Sequence, residues 1–200
     1  MKLESRLVVD FIEPLSKVLD VGCGDGNILL HLKKEKKIDA RGIEIDHEKV
    51  KTSIAKGLSV VEGNAEKDLS NYPDQSFDYA ILTQTLQAFY NPRKVLNELL
   101  RIGKNSIVSI PNFGYWKVRL SLLFNGRMPV TKTLPNTWYN TPNLHMCTIK
   151  DFFDLCVTDK IIIKKSIAVT GEKFSKITNS NLEFKNWSSE YGIFLISKNN

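Results

Sequence analysis

The chain has 200 residues, 42% hydrophobic and 25% charged, the composition of an ordinary globular protein whose length buries one sizeable core without requiring a second domain. Its formal net charge of +6 comes from lysines scattered along the whole chain rather than gathered in one run, so the charge alone does not point to a nucleic-acid partner. No stretch of about eighteen apolar residues occurs, and Glu4, Arg6 and Asp10 interrupt the opening segment, so neither a membrane span nor a signal peptide is expected.

Leu7, Val8, Phe11 and Ile12 fall at helical spacing before Pro14, which predicts a short amphipathic helix. "KVLDVGC" is an apolar run of strand length, "GNILLHLKKEK" sets Leu29, Leu30 and Leu32 near one helical face, and "DARGIEID" reads as a second strand, giving a βαβ unit. "HEKVKTSIAKG" is a helix stopped by Gly57, "LSVVEGNA" a third strand, and "SFDYAILTQT" a fourth after the turn residues Pro73 and Asp74. "NPRKVLNELLRIG" is a helix with proline in its first turn and glycine at its end, followed by the strand "NSIVSIPN". This alternation predicts a parallel, doubly wound sheet.

From Phe113 to about Lys150 the alternation fails, because aromatics, prolines and asparagines follow one another without sustained periodicity. An irregular insertion of that length in a compact fold is expected to be functional. "TIKDFFDLC" restores a helix capped by Thr148, and "KIIIKKSIAVT" and "YGIFLISK" are the last two strands. The polar segment between them, "GEKFSKITNSNLEFKNWSSE", is expected to be a mobile connection. Three cysteines, Cys23, Cys147 and Cys156, lack metal-ligand spacing and read as the reduced thiols of a cytoplasmic protein.

In "VLDVGCGDGNILLHL" a strand halts at Asp20 and three glycines, Gly22, Gly24 and Gly26, alternate before a helix begins. Such a turn lets a ligand approach backbone N–H groups at the positive end of the helix dipole. A dinucleotide fingerprint would need its third glycine at position 27, where Asn27 stands, so the spacing counts against NAD. Asp20 also sets a carboxylate at the mouth of the strand, which repels a pyrophosphate and favours a cation. A sulfonium carrying an amino acid tail fits, with Cys23 a small residue inside the loop. Glu44 ends the second strand where an acid accepts hydrogen bonds from both hydroxyls of a ribose, with Ile45 beside it and Asp46 as the near alternative. Asn64 is placed to meet an adenine edge, Ala65 to offer its backbone N–H, and Gln84 to floor the pocket at the end of the fourth strand.

Taken in order and at these intervals, "VLDVGCGDG", "GIEID" and "FDYAILTQTLQ" resemble the motifs of class I S-adenosylmethionine-dependent methyltransferases. "RGIEIDHEKV", "FDYAILTQTLQAFYNPRKVLNELLRIG" and the block from "SIPNFGYWKV" through "NGRMPVTKTLP" to "WYNTPNLHMCTIKDF" resemble, more narrowly, the methionine biosynthesis protein MetW family, from about Lys17 to about Ile163. The resemblance implies an α/β, Rossmann-like, mainly parallel seven-stranded sheet with an antiparallel last strand. It implies one methyltransferase-like domain over 1–200 with an aromatic-rich insertion at about 113–150. It also implies S-adenosylmethionine or S-adenosylhomocysteine as ligand, and a homoserine O-acyltransferase of the MetX type as partner. The segment 171–190 has no counterpart in it.

Three readings follow. The first is an activating or regulatory subunit of that acyltransferase. The second is an active methyltransferase on a small-molecule acceptor, for which alignment and a general base suffice. His145 is the candidate base, with a structural histidine bonded to a backbone carbonyl as the alternative, and Tyr115 and Tyr139 are candidates to hold the acceptor. The third is a nucleic-acid-binding protein, favoured by net charge only. Phe113, Tyr115, Trp116, Phe124, Trp138 and Tyr139, with Arg119, Arg127 and Met128, are the residue types that protein interfaces enrich at hot spots. A lid over the domain's own pocket uses the same residues.

Overall fold

The computed structural model describes residues 3–131 and 133–199; Met1, Lys2, Lys132 and Asn200, which fall within the expected domain and insertion, lie outside the described residues. In chain order the elements are α1 (Leu3–Asp10), β1 (Lys17–Val21), α2 (Asn27–Lys36), β2 (Asp39–Glu44), α3 (His47–Ala55), β3 (Ser59–Glu62), α4 (Ala65–Asp68), β4 (Phe77–Thr83), α5 (Pro92–Ile102), β5 (Gly103–Pro111), α6 (Trp116–Asn125), α7 (Ile149–Thr158), β6 (Ile161–Thr170), β7 (Lys173–Lys176), α8 (Leu182–Ser188) and β8 (Tyr191–Lys198).

The strands form one sheet in the order β3-β2-β1-β4-β5-β8-β6-β7. β1 to β5 are parallel, and β8 runs antiparallel to both β5 and β6. The alternation of strand and helix in the first half forces this arrangement, because a parallel neighbour is reached only through a crossover. Helices cover both faces, so the central strands are apolar on both sides. Along β8, Ile193 and Leu195 pack on the face covered by α1 and α2, while Phe194 and Ile196 pack on the face covered by α5 and α7. α5 buries Val95, Leu96, Leu99, Leu100 and Ile102, the spacing of one helical stripe.

The sheet has eight strands, not the seven expected. The extra one, β7, pairs antiparallel with β6 across a turn at Gly171, inside the segment expected to be a mobile connection. Its lysines suit an exposed edge strand, which is why its polar sequence concealed it. α8, in the same segment, is held by polar and aromatic contacts. Asn112 Nδ2 donates to Asn186 O at 2.7 Å, and Trp187 stacks on Trp116 at 6.2 Å between ring centroids. The insertion likewise opens with a helix, α6, where no periodicity was legible. Among the described residues, 127–148 then carry no helix or strand.

β1 lies between β2 and β4, so the chain leaves the carboxyl ends of β1 and β4 in opposite lateral directions. Such a switch point opens a crevice at the strand ends. Among the described residues, no helix is long and apolar enough to cross a membrane.

Candidate ligand-binding site

The loop after β1 is pinned to the end of β2. Gly22 N and Cys23 N both donate to Ile43 O, at 2.8 and 3.3 Å, and Gly24 N donates to Glu44 Oε2 at 2.8 Å. Two glycines of the loop act differently. Gly24 has φ +57° and nothing within 4 Å of where a Cβ would stand, so the backbone there is open to a ligand. At Gly26, with φ +74°, a Cβ would stand 2.4 Å from Leu58 Cδ1 and 2.9 Å from Ser53 Oγ. That glycine serves packing of the loop against α3 and the chain beyond it. Cys23 turns its thiol into the core beside Gly42. Burial, then the charges of Asp20 and Glu44, push the thiol up, which leaves it an unreactive small residue.

Glu44 is buried, and its carboxylate is a clamp. Besides Gly24 N on Oε2, Oε1 accepts from Ile45 N at 2.9 Å and Asp46 N at 3.0 Å. With about four lone pairs on a carboxylate, one remains free, on Oε2. Asp46 is committed elsewhere, since it caps α3 by accepting from Glu48 N and Lys49 N. Below the loop, both carboxyl oxygens of Asp20 are buried without a hydrogen-bond partner. Burial first, and the Glu44 charge second, push its pKa up to about 8.

A cleft of about 450 Å³ is lined among others by Gly22, Gly24, Glu44, Ile45, Asn64 and Ala65, while buried Asp20 is not among its lining residues. Six of the sequence-predicted positions thus come together. Ile45 is an apolar side chain left 66% exposed. Asn64 Oδ1 accepts from Glu66 N at 3.0 Å, so its carbonyl caps α4. Thr85, in the "LTQT" stretch expected to floor the pocket, lines the cleft as well, as do Phe89 and Tyr90; the two aromatics were not singled out from the sequence, although an aromatic pair just after the fourth strand was a usable signal.

The remaining positions lie elsewhere. Gln84, in a left-handed conformation with φ +54°, lines a second cleft of about 480 Å³ that shares Pro142 with the first. Its Nε2 donates to Glu4 Oε1 at 2.9 Å, and Ser109 Oγ donates to the same oxygen at 2.5 Å, which ties α1 to the ends of β4 and β5. His145 donates its backbone N–H to Gln87 O at 3.0 Å, and its ring is exposed and lines neither cleft. Tyr115 is buried at the start of α6, and Tyr139 stands exposed with its ring edge-on to Trp138 at 5.6 Å. Of the insertion, Thr133, Pro135, Asn136, Pro142 and Asn143 wall the second cleft, whereas Leu123 and Phe124 of α6 point to solvent.

Strand order, a glycine loop after β1 and an acid closing β2 define the fold of class I S-adenosylmethionine-dependent methyltransferases. A structure of an S-adenosylmethionine-dependent methyltransferase, possible histamine N-methyltransferase, from Thermotoga maritima superposes with a TM-score of 0.69 at 18% identity, covering 98% of this chain and 88% of that one. One from Archaeoglobus fulgidus gives 0.68 at 17% identity, covering 98% and 91%. The model of the family "Methionine biosynthesis protein MetW" matches residues 2–196, and the chain belongs to that family. The match runs past the Lys17–Ile163 stretch and takes in the segment 171–190 that had no expected counterpart. The bifunctional methionine biosynthesis protein MetXA/MetW of Rhodopirellula baltica is 31% identical over 176 residues, 84% of this chain. The chain spans 28% of that relative's length, and about a third of two N-methyltransferase relatives from Rauvolfia serpentina, which are 33% and 30% identical over about half of this chain.

Proposed function

We propose that this chain binds S-adenosylmethionine or S-adenosylhomocysteine in the first cleft and serves, in the cytoplasm, as the activating or regulatory partner of a MetX-type homoserine O-acyltransferase. The observation that carries the partner role is the Rhodopirellula baltica relative, which bears both names on one polypeptide. The residues fit the nucleoside. Asp20 is a buried carboxyl group with no protein partner, one that the ammonium of an amino acid tail would ionise. The open backbone at Gly24 admits the ligand, Glu44 keeps a lone pair toward a ribose hydroxyl, and exposed Ile45 offers an apolar wall to a base. Ala65 N–H and Asn64, which line the same cleft, suit the adenine edge.

Because the nucleoside derives from methionine, different affinity for two states of the complex makes binding a feedback signal, with a coupling of roughly 1–3 kcal/mol in typical cases. Homoserine acyl transfer by the cognate acyltransferase tests this, alone and with the chain added, each with and without S-adenosylmethionine. Activity that rises only with the chain establishes the subunit, and a further change with the nucleoside establishes the sensor. Acylation indifferent to both removes the reading. The adjoining second cleft favours methyl transfer to a small molecule as the alternative, and release of S-adenosylhomocysteine by the isolated chain with a defined acceptor identifies it. His145 would serve as base there only if the insertion folds inward.

A further inference from the structure

The second cleft carries features that the nucleoside does not explain. Gln87 lies on it and is only 3% exposed. Its amide orientation is set, because Nε2 donates to Gln84 O at 2.8 Å and to Asn143 Oδ1 at 3.1 Å. The oxygen left over, Oε1, is buried without a donor. A buried carbonyl without a partner is an unmade hydrogen bond that an incoming N–H relieves.

The charge of the cleft points the same way. Glu4 and Glu172 lie on it, and its described lining residues include no lysine, arginine or histidine, in a chain of net charge +6. Glu4 has committed Oε1 to Gln84 and Ser109, which leaves Oε2, and Glu172 makes no ion pair among the described residues. Tyr191, buried, lines the same space. Burial and the carboxylates of Glu4, Glu190 and Glu172 push its pKa up, so it stays a neutral hydroxyl with lone pairs to offer. Pro111 and Pro135 supply apolar wall between these groups.

We propose that this second cleft is a binding site, separate from that of the nucleoside, for a small alkylammonium-bearing molecule. An ammonium has three donors and no acceptor, which matches a lining of carboxylates, an orphaned amide oxygen and a phenol. A carboxylate or phosphate faces the Glu4 and Glu172 charges with no cation among the described lining residues to offset them. The short alkyl body lies against the prolines. The site does not rest on the nucleoside reading, since none of Glu4, Gln87, Glu172 and Tyr191 lines the first cleft.

The test is a protein-observed NMR titration of the full chain with n-butylammonium and with butanoate, an alkyl pair of opposite charge, each with and without saturating S-adenosylhomocysteine. The expected result is saturable shifts of the backbone amides of residues 84–87, 172 and 191 with n-butylammonium, none with butanoate, and persistence when the nucleoside is present. Glu172→Gln, an exposed turn residue, is expected to weaken the ammonium about fivefold through loss of one charge-assisted contact. Equal response to butanoate, or an unchanged affinity in Glu172→Gln, overturns the proposal. Abolition by S-adenosylhomocysteine also overturns it, by showing that the cleft holds the nucleoside's own amino acid tail. The arms without nucleoside stand by themselves if the first cleft binds nothing.

Discussion

Asp20 holds its proton to about pH 8 in the folded chain, whereas an unfolded aspartate ionises near pH 4. Between those values the folded state carries the extra proton, so the Asp20 contribution to stability falls as pH rises through the window. Asp20→Asn is therefore expected to flatten the decline of the melting temperature between about pH 5 and 8 relative to wild type, and to weaken the nucleoside; parallel thermal melts across pH check the first effect. An ammonium placed against Asp20 favours its ionised form, so nucleoside binding at pH 7 is expected to release a proton. Calorimetry in two buffers of different ionisation enthalpy reads that release, and none would place the ligand's cation away from Asp20. Glu44 combines two tasks that the sequence does not separate. Its carboxylate holds the N–H groups of Gly24, Ile45 and Asp46, so Glu44→Ala is expected to lose about 2–4 kcal/mol of stability together with nucleoside affinity. Urea denaturation alongside a binding titration separates the two losses, and unaltered stability would mean that water takes over the three donors.

The elements that position the first cleft were legible because their pattern and their packing coincide. α5 shows its buried stripe in the spacing of Val95, Leu96, Leu99 and Leu100, and β1 shows its burial in "KVLDV". α6 was not legible because only Val118 of its ten residues is buried, so no apolar stripe stands out. The second cleft was hidden for a different reason. It draws Glu4 from α1, Gln87 from the turn after β4, Glu172 from the β6–β7 turn and Tyr191 from β8, positions that no local pattern relates. The outer surface of α6 carries its own consequence. Leu123 and Phe124 are 73% and 75% exposed, and neither lines a cleft. Exposed apolar residues grouped in this way mark an interaction surface more often than a random solvent face. If α6 meets the acyltransferase, Leu123→Ser with Phe124→Ser is expected to leave stability within about 0.5 kcal/mol and nucleoside affinity unchanged, while stimulation of acyl transfer falls. Full stimulation by the double variant would assign the contact to another face.

For the whole molecule, the mainly parallel sheet follows from crossover geometry and was expected, with its antiparallel last strand. The distribution of charge needed coordinates, because net charge says nothing about which cations are already matched. A minority of the positive charge is paired at short range: Arg93 with Asp159 at 2.5 Å, Arg101 with Asp74 at 2.5 Å and Glu98 at 2.7 Å, Lys104 with Asp78 at 2.8 Å, and Lys51 with Glu48 at 2.9 Å. The Lys104 hydrogen bond and the Lys17 backbone N–H hold the Asp78 carboxyl below its ordinary range, as expected of a carboxylate engaged by cationic and backbone donors. Such surface pairs add little stability, yet each removes a positive charge from any field that a polyanion would feel. Nucleic-acid binding through phosphate neutralisation requires several free cations on one face and weakens steeply with salt, by roughly 0.9 decades in affinity per decade of salt for each contact. The lysines are scattered along the chain rather than gathered in one run, so no local cluster of the sequence supplies several such contacts together. Retention on immobilised DNA at about 50 mM salt is therefore expected to be slight and lost by about 200 mM, with a shallow salt slope. Retention above that concentration, or a steep slope, would show a contiguous cationic face and restore nucleic acid as a partner.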